Sequence, residues 1–194
     1  MTTGLTLKRP TNAAVRDREY LTPDEVERLM KAARSIGRHG HRDATMILVA
    51  FRHGLRLSEL VELKWSQVLL NEARLSVVRK KGGISGVHPL YGVEIRALRR
   101  VMRDYPETTF VFVTERKGPL TASTFQKLVK RAGEKADIGI PIHPHMLRHS
   151  CGFKLANEGV DTRAIQIYLG HRDIKHTMRY TELASNRFAN FWTD

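Results

Sequence analysis

Residues 143 to 150 read HPHMLRHS and set His143, His145, Arg148 and His149 within seven positions, while the nearest acids along the chain are Asp137 and Glu158. Basic side chains this close repel one another and must be desolvated as a group, so the cluster makes most sense if an external anion joins it. A guanidinium grips two nonbridging phosphate oxygens as a fork, and an imidazole beside it donates a hydrogen bond or passes a proton. The same stretch also holds zinc ligand types, namely His143, His145, His149 and Cys151. Arg148 would then sit among the ligands with no acid near to orient the imidazoles, so no metal site is assigned.

The rest of the chain supports a polyanion. Lys and Arg number 33 against 20 Asp and Glu, a formal charge of +13 spread over 194 residues. A globular chain this basic points to nucleic acid. With 41% hydrophobic residues it can bury one core. One cysteine excludes an internal disulfide framework and fits a reducing compartment. The start, MTTGLTLKRP, lacks the apolar centre of a signal peptide, and the longest apolar run, 46 to 51, is far too short to span a bilayer. The expectation is a cytoplasmic, nucleoid-associated protein with no membrane partner.

The elements that position the cluster are legible from periodicity and caps. Residues 1 to 19 read as a flexible basic arm and 20 to 185 as one domain. Thr22, Pro23 and Glu25 announce a helix by a capping box, with Val26, Leu29, Met30 and Ala33 inward. A largely apolar helix is predicted over 42 to 53, ended by Gly54, and another over 58 to 65. RLSVVRKKGGISGVHPL reads as a β-hairpin with a basic tip. A helix over 93 to 104, a short strand at FVFV (110 to 113) and a helix capped by Thr121 follow. The opening stretch begins a helix that Gly159 stops, and Asp161 and Asp173 cap the last two. The fold class is α+β, mainly α-helical, with a small antiparallel sheet.

Beyond Arg148 come Gly170 and His171, then Tyr180 and Thr181. GLRLSEL at 54 to 60, HPHMLRHS, and LGHRDIKHTMRYT at 169 to 181 together resemble the catalytic domain of the tyrosine recombinase (phage integrase) family, over about residues 20 to 185. HPHMLRHSCGFKLAN and DTRAIQIYLGHRDIKHT look most like the fimbrial phase-variation recombinases, stand-alone catalytic domains that invert a promoter segment. The resemblance implies that Arg56 and Arg148 bind the phosphate, that His145 and His171 complete the basic shell, that Glu59 supports it, and that Tyr180 is the nucleophile. It implies a lysine on the hairpin tip as general acid, for which Lys80 and Lys81 compete; spacing from His88, Pro89 and Leu90 favours Lys81. Arg79, Lys80, Lys8 and Arg9 are expected on DNA.

A phosphotyrosyl link keeps the energy of the broken bond, so resealing needs no ATP, and no cofactor or metal is expected. The cationic shell is also expected to favour the Tyr180 phenolate. Partners implied are double-stranded DNA, further copies of the chain in a tetrameric synapse, and accessory DNA-bending proteins. Most family members precede this domain with a DNA-clamping domain, whereas here the arm precedes it. Residues 186 to 194, with Phe188, Phe191 and Trp192, are a candidate tail for docking on a neighbouring copy. Two alternatives stand beside this one: a type IB topoisomerase-like enzyme that relaxes DNA, and a non-catalytic DNA-binding regulator.

Overall fold

The computed structural model describes residues 18–80, 82–182 and 184. Helix α1 (Pro23–Arg34) begins at the expected capping box: the Thr22 hydroxyl accepts the Glu25 N–H, and the Glu25 carboxylate accepts the Thr22 N–H at 2.8 Å. Val26, Leu29, Ala32 and Ala33 are its buried face. Helix α2 (Gly40–Arg52) is buried around most of its surface, as its apolar centre requires, because α1, α4 (Gly92–Asp104) and α6 (Pro144–Asn157) all pack on it. Helix α5 (Ala122–Lys135) is capped by Thr121, whose hydroxyl accepts the Thr124 N–H. Helix α7 (Thr162–Leu169) is capped by Asp161, and Asp173 accepts the Lys175 N–H at the start of α8 (Lys175–Glu182). No helix among the described residues is long and apolar enough to cross a membrane.

The hairpin forms β2 (Arg74–Val77) and β3 (Gly86–Pro89), antiparallel with Leu75 opposite His88, and β1 (Val68–Leu69) extends it to three strands in the order β1-β2-β3. Two expectations are corrected. The helix predicted over 58 to 65 ends early, as α3 (Leu57–Val61), and FVFV is not a strand of the sheet. One cause serves both. Val111 N–H donates to Leu63 O at 2.8 Å and Trp65 N–H to Thr109 O at 3.1 Å, drawing 63 to 65 out of the helix, while Leu120 N–H donates to Phe112 O on the other flank. Val111, Phe112 and Val113 are all fully buried, so the segment is a strap packed on both sides instead of one strand of a ladder.

Behind the hairpin lies a buried polar chain. Glu94, wholly inaccessible, is 2.8 Å from His53 Nε2 and accepts from Arg52, and His53 Nδ1 lies 3.2 Å from His88 Nδ1. His88 also stacks on Tyr168, with ring centroids 3.9 Å apart. Burial, aided by the charges of His53 and Arg79, pushes the His88 ring down from 6.5 to about 3. Between those two pH values the unfolded chain binds a proton at His88 that the folded chain refuses, so this stabilisation is complete above pH 6.5 and is lost as pH falls. The urea midpoint is therefore expected to drop between pH 7.5 and pH 5, and His88→Gln to remove its share of that slope. A slope unchanged by the substitution would place the titration elsewhere.

Candidate active site

Gly54, with a φ of 54°, ends α2 and turns the chain so that Arg56 lies just ahead of α3. Arg56 is fixed twice by Glu59, through its N–H at 2.9 Å and its guanidinium at 2.8 Å, and its side chain keeps 29% exposure, open to a ligand. Glu59 is buried, which alone would raise its carboxyl. The Arg56 N–H, the Arg79 charge and both guanidinium hydrogen bonds outweigh burial and hold it below its ordinary value.

Arg148 is 2% exposed on α6 and donates to Gly54 O and, at 2.6 Å, to Leu169 O. Two of its five N–H donors are thereby spent on main chain, leaving three for an anion. Burial first, then the charges of Arg79 and Arg56, lower it to about 10, so it stays charged at neutral pH. His145 lies on the first turn of α6, at the surface. Partial desolvation and the charges of Arg148, His143, Arg179 and Arg56 lower its ring.

Gly170 closes α7 in the left-handed region at φ 68°, and a Cβ there would meet Ile84 O at 2.6 Å and the Arg79 Cγ at 2.7 Å. Only glycine lets the hairpin tip cross the end of α7 so closely. The next residue, His171, is held by Gln166, whose carbonyl accepts the His171 N–H at 3.0 Å and whose side-chain amide donates to the His171 carbonyl at 3.0 Å, and by Thr177 Oγ1, 2.8 Å from its Nδ1. Burial and the charges of Arg148 and Arg56 lower it to about 3.

Tyr180 projects from α8 into the body and is 1% exposed. Its ring lies flush on α6 because position 152 is glycine: a Cβ there would stand 2.6 Å from two ring carbons. Phe153 packs edge-on at 5.2 Å between centroids, and the phenol oxygen is 2.9 Å from His149 Nδ1. The expectation that the shell favours the phenolate is corrected. Burial raises the phenol above its ordinary value of 10, and Arg148 and Arg179 offset this only in part.

The structure thus gathers Arg56, Glu59, Arg148, His145, His171 and Tyr180 from four separate stretches of chain. Arg79 is a second correction: expected on DNA, its side chain is wholly buried and donates to Glu59, Gly54 O, His53 O and Tyr168 O. Lys80 reaches the surface and pairs with Glu62. Lys81, Lys8, Arg9 and residues 186 to 194 lie outside the described residues. Of the arm, Arg18 is described and pairs with Glu25 at 2.6 Å. The zinc ligand types do not assemble, since Cys151 points at Arg52 O, and no group of three His, Cys, Asp or Glu among the described residues is placed to hold a metal. Sequence reasoning missed His149 as a partner of Tyr180, and also Gln166 and Thr177; a polar residue on the buried side of α7 was the available signal for Gln166.

Residues 19–187 match the model of the phage integrase family. Type 1 fimbriae regulatory protein FimE of Escherichia coli (strain K12) is 42% identical over 181 residues, covering 90% of this chain and 91% of FimE. Tyrosine recombinase XerD of Ralstonia nicotianae is 40% identical over 175 residues, 86% of this chain but only 56% of XerD. The crystal structure of XerA recombinase superposes with a TM-score of 0.76 at 28% identity, covering 95% of this chain and 65% of that one. Other structural neighbours were solved bound to DNA.

The contact of Gly152 with the Tyr180 ring gives a direct test of this packing. Gly152→Ala is expected to cost about 1–3 kcal/mol through overpacking, read as a lowered urea midpoint. An unchanged midpoint would mean that the ring does not lie on α6 as described.

Proposed function

This chain belongs to the phage integrase family and is a tyrosine-type site-specific DNA recombinase, and we propose that Tyr180 is the nucleophile with which it cuts and rejoins strands. The observation that carries this reading is that the Tyr180 ring lies 6.3 Å from that of His171 and in the field of Arg148, whose charge also acts on His145 and His171. Attack by the phenol oxygen on a DNA phosphodiester builds charge on nonbridging oxygens, where the guanidiniums of Arg56 and Arg148 stabilise it without reorganising. Glu59 keeps Arg56 aimed, and His145 and His171 donate hydrogen bonds. The P–O5′ bond breaks as the tyrosyl–phosphate bond forms. The leaving oxygen takes a proton from the hairpin lysine, Lys81 or its neighbour Lys80. A 5′ hydroxyl from a second duplex then reverses the chemistry, and the outcome is a rearranged DNA.

Inversion of a segment is the outcome that the fimbrial resemblance favours, with integration or excision as the other arrangements of the same chemistry. Strand exchange between two duplexes engages four active sites, so a tetramer on DNA is the working assembly, helped by DNA-bending proteins and by residues 186 to 194 docking between copies. The basic arm, with Lys8 and Arg9, adds backbone contacts. Such a protein works on the bacterial nucleoid.

Tyr180→Phe is expected to abolish covalent adducts, read on denaturing gels with a duplex that the full chain selects from a random-sequence pool, while duplex affinity stays within about twofold. An adduct in that variant would place the nucleophile elsewhere. On a supercoiled plasmid carrying two selected sites, inverted or deleted products are expected; relaxation alone would indicate a topoisomerase-like enzyme, and binding without cleavage a regulator. Lys81→Ala should cleave ordinary DNA at least about 100-fold more slowly yet recover when the bridging 5′ oxygen is sulfur, since a thiolate leaves without a proton. Rescue of Lys80→Ala instead would move the acid by one residue.

A further inference from the structure

A nucleophilic phenol must lose its proton, and here the surroundings do not remove it in advance, because burial outweighs the nearby arginines at Tyr180. The proton therefore needs an acceptor during attack. His171 has its Nδ1 engaged by Thr177 Oγ1 at 2.8 Å, and its ring centroid is 6.3 Å from that of Tyr180. His145 meets the edge of His149 at 4.5 Å between centroids. The imidazole in contact with the phenol oxygen is that of His149, at 2.9 Å, with the tyrosine ring held against Gly152 and Phe153 so that this contact has one geometry.

We propose that His149 is the general base for Tyr180, its Nδ1 taking the phenol proton as the tyrosine oxygen attacks phosphorus. The inference rests on the reading of Tyr180 as nucleophile. In the forward step the proton passes from Tyr180 to His149, the oxygen–phosphorus bond forms, P–O5′ breaks, and the leaving oxygen is protonated by the hairpin lysine. On resealing, the incoming 5′ hydroxyl gives its proton to that lysine and His149 returns its own to the departing tyrosine oxygen.

The tautomer with hydrogen on Nε2 leaves the Nδ1 lone pair facing the phenol. Burial, with the charges of His145, Arg179, Arg148 and His143, keeps the free imidazole neutral, at about 3. The two fixed cations among these groups, Arg148 and Arg179, come from α6 and α8, and Arg148 is among the groups proposed to grip the phosphate. An arriving phosphodiester sets negative charge against them, raising the proton affinity of His149 when the proton must move. The base is weak while the site is empty and stronger once it is filled.

The test is His149→Asn in the full chain. The Asn Oδ1 falls near the place of Nδ1, so it accepts the hydrogen bond but takes no proton at neutral pH. Single-turnover adduct formation is followed on a nicked duplex, selected from a random pool, whose short released fragment prevents reversal. The expected result is a loss of at least about 100-fold at pH 7 with duplex affinity retained, and a residual rate that climbs about tenfold per pH unit as the phenol ionises unaided. A rate within about threefold of the parent would make His149 a mere positioning contact, and a faster rate would make it a latch; either overturns the proposal. Should the variant fail to fold, the parent chain decides. Base assistance by His149 gives a rate that levels off once the imidazole of the DNA-bound chain has lost its proton and is flat from about pH 8 to 9, whereas a climb of tenfold per unit persisting to pH 9 would overturn it. Adducts persisting in Tyr180→Phe would instead sink the nucleophile reading itself, whatever His149 does.

Discussion

Two helix C-termini point at the same pair of buried arginines. The carbonyls of His53 and Gly54, just past α2, and of Tyr168 and Leu169, at the end of α7, accept from Arg79 and Arg148. The last carbonyls of a helix have no intrahelical donors and carry the negative end of its dipole, so they suit a guanidinium that has lost its water. Glu59 adds a full counter-charge, shared between Arg56 and Arg79. Without these acceptors, crowding three guanidiniums would cost far more than packing returns.

The rest of the site follows from this junction. The hairpin is tied to it by Arg79, the α2–α3 turn by Gly54, and the loop bearing His171 by Leu169. Elements far apart in sequence meet because their main-chain acceptors converge on shared donors. The junction is not perfectly satisfied, for Arg79 Nε is buried without a partner among the described residues. Glycines 54 and 170 keep the crossing elements close, and an added Cβ at Gly54 would stand 2.3 Å from Leu169. Positioning is thus achieved by backbone geometry, which fixes atoms more tightly than flexible surface side chains would.

Much of this arrangement is legible in the amino-acid sequence. The caps at Thr22, Thr121 and Asp161 are local, made by residues three apart, and these three helices start where the caps put them, whereas α2, which has no side-chain cap, starts two residues ahead of the expected 42. The ordered motifs also identified Arg56, Arg148, His171 and Tyr180, which the fold does bring to one place. What stayed hidden depends on long-range closure. Arg79 sits in a hairpin beside two lysines, and nothing in that local pattern distinguishes a buried arginine from a DNA-facing one; only the return of α7 shows its partners. FVFV has strand composition, but its backbone groups are divided between Leu63 and Leu120, more than fifty residues apart. The pairing of His149 with Tyr180 likewise appears only once α8 folds back onto α6.

The cluster that first pointed to an anion divides into two kinds of charge. Arg148, though lowered to about 10, remains a fixed cation at neutral pH, whereas His149 and His171 are both held near 3 by burial and by those same arginines. Fixed positive charge therefore comes from guanidiniums that do not titrate near neutrality. Neutral imidazoles between them are free to donate or accept a proton. Had the histidines been charged as well, their mutual repulsion would add to the desolvation cost, and none would have a lone pair to offer. Burial, aided by the guanidiniums that attract a phosphate, thus keeps the neighbouring imidazoles in the proton-accepting form until it arrives.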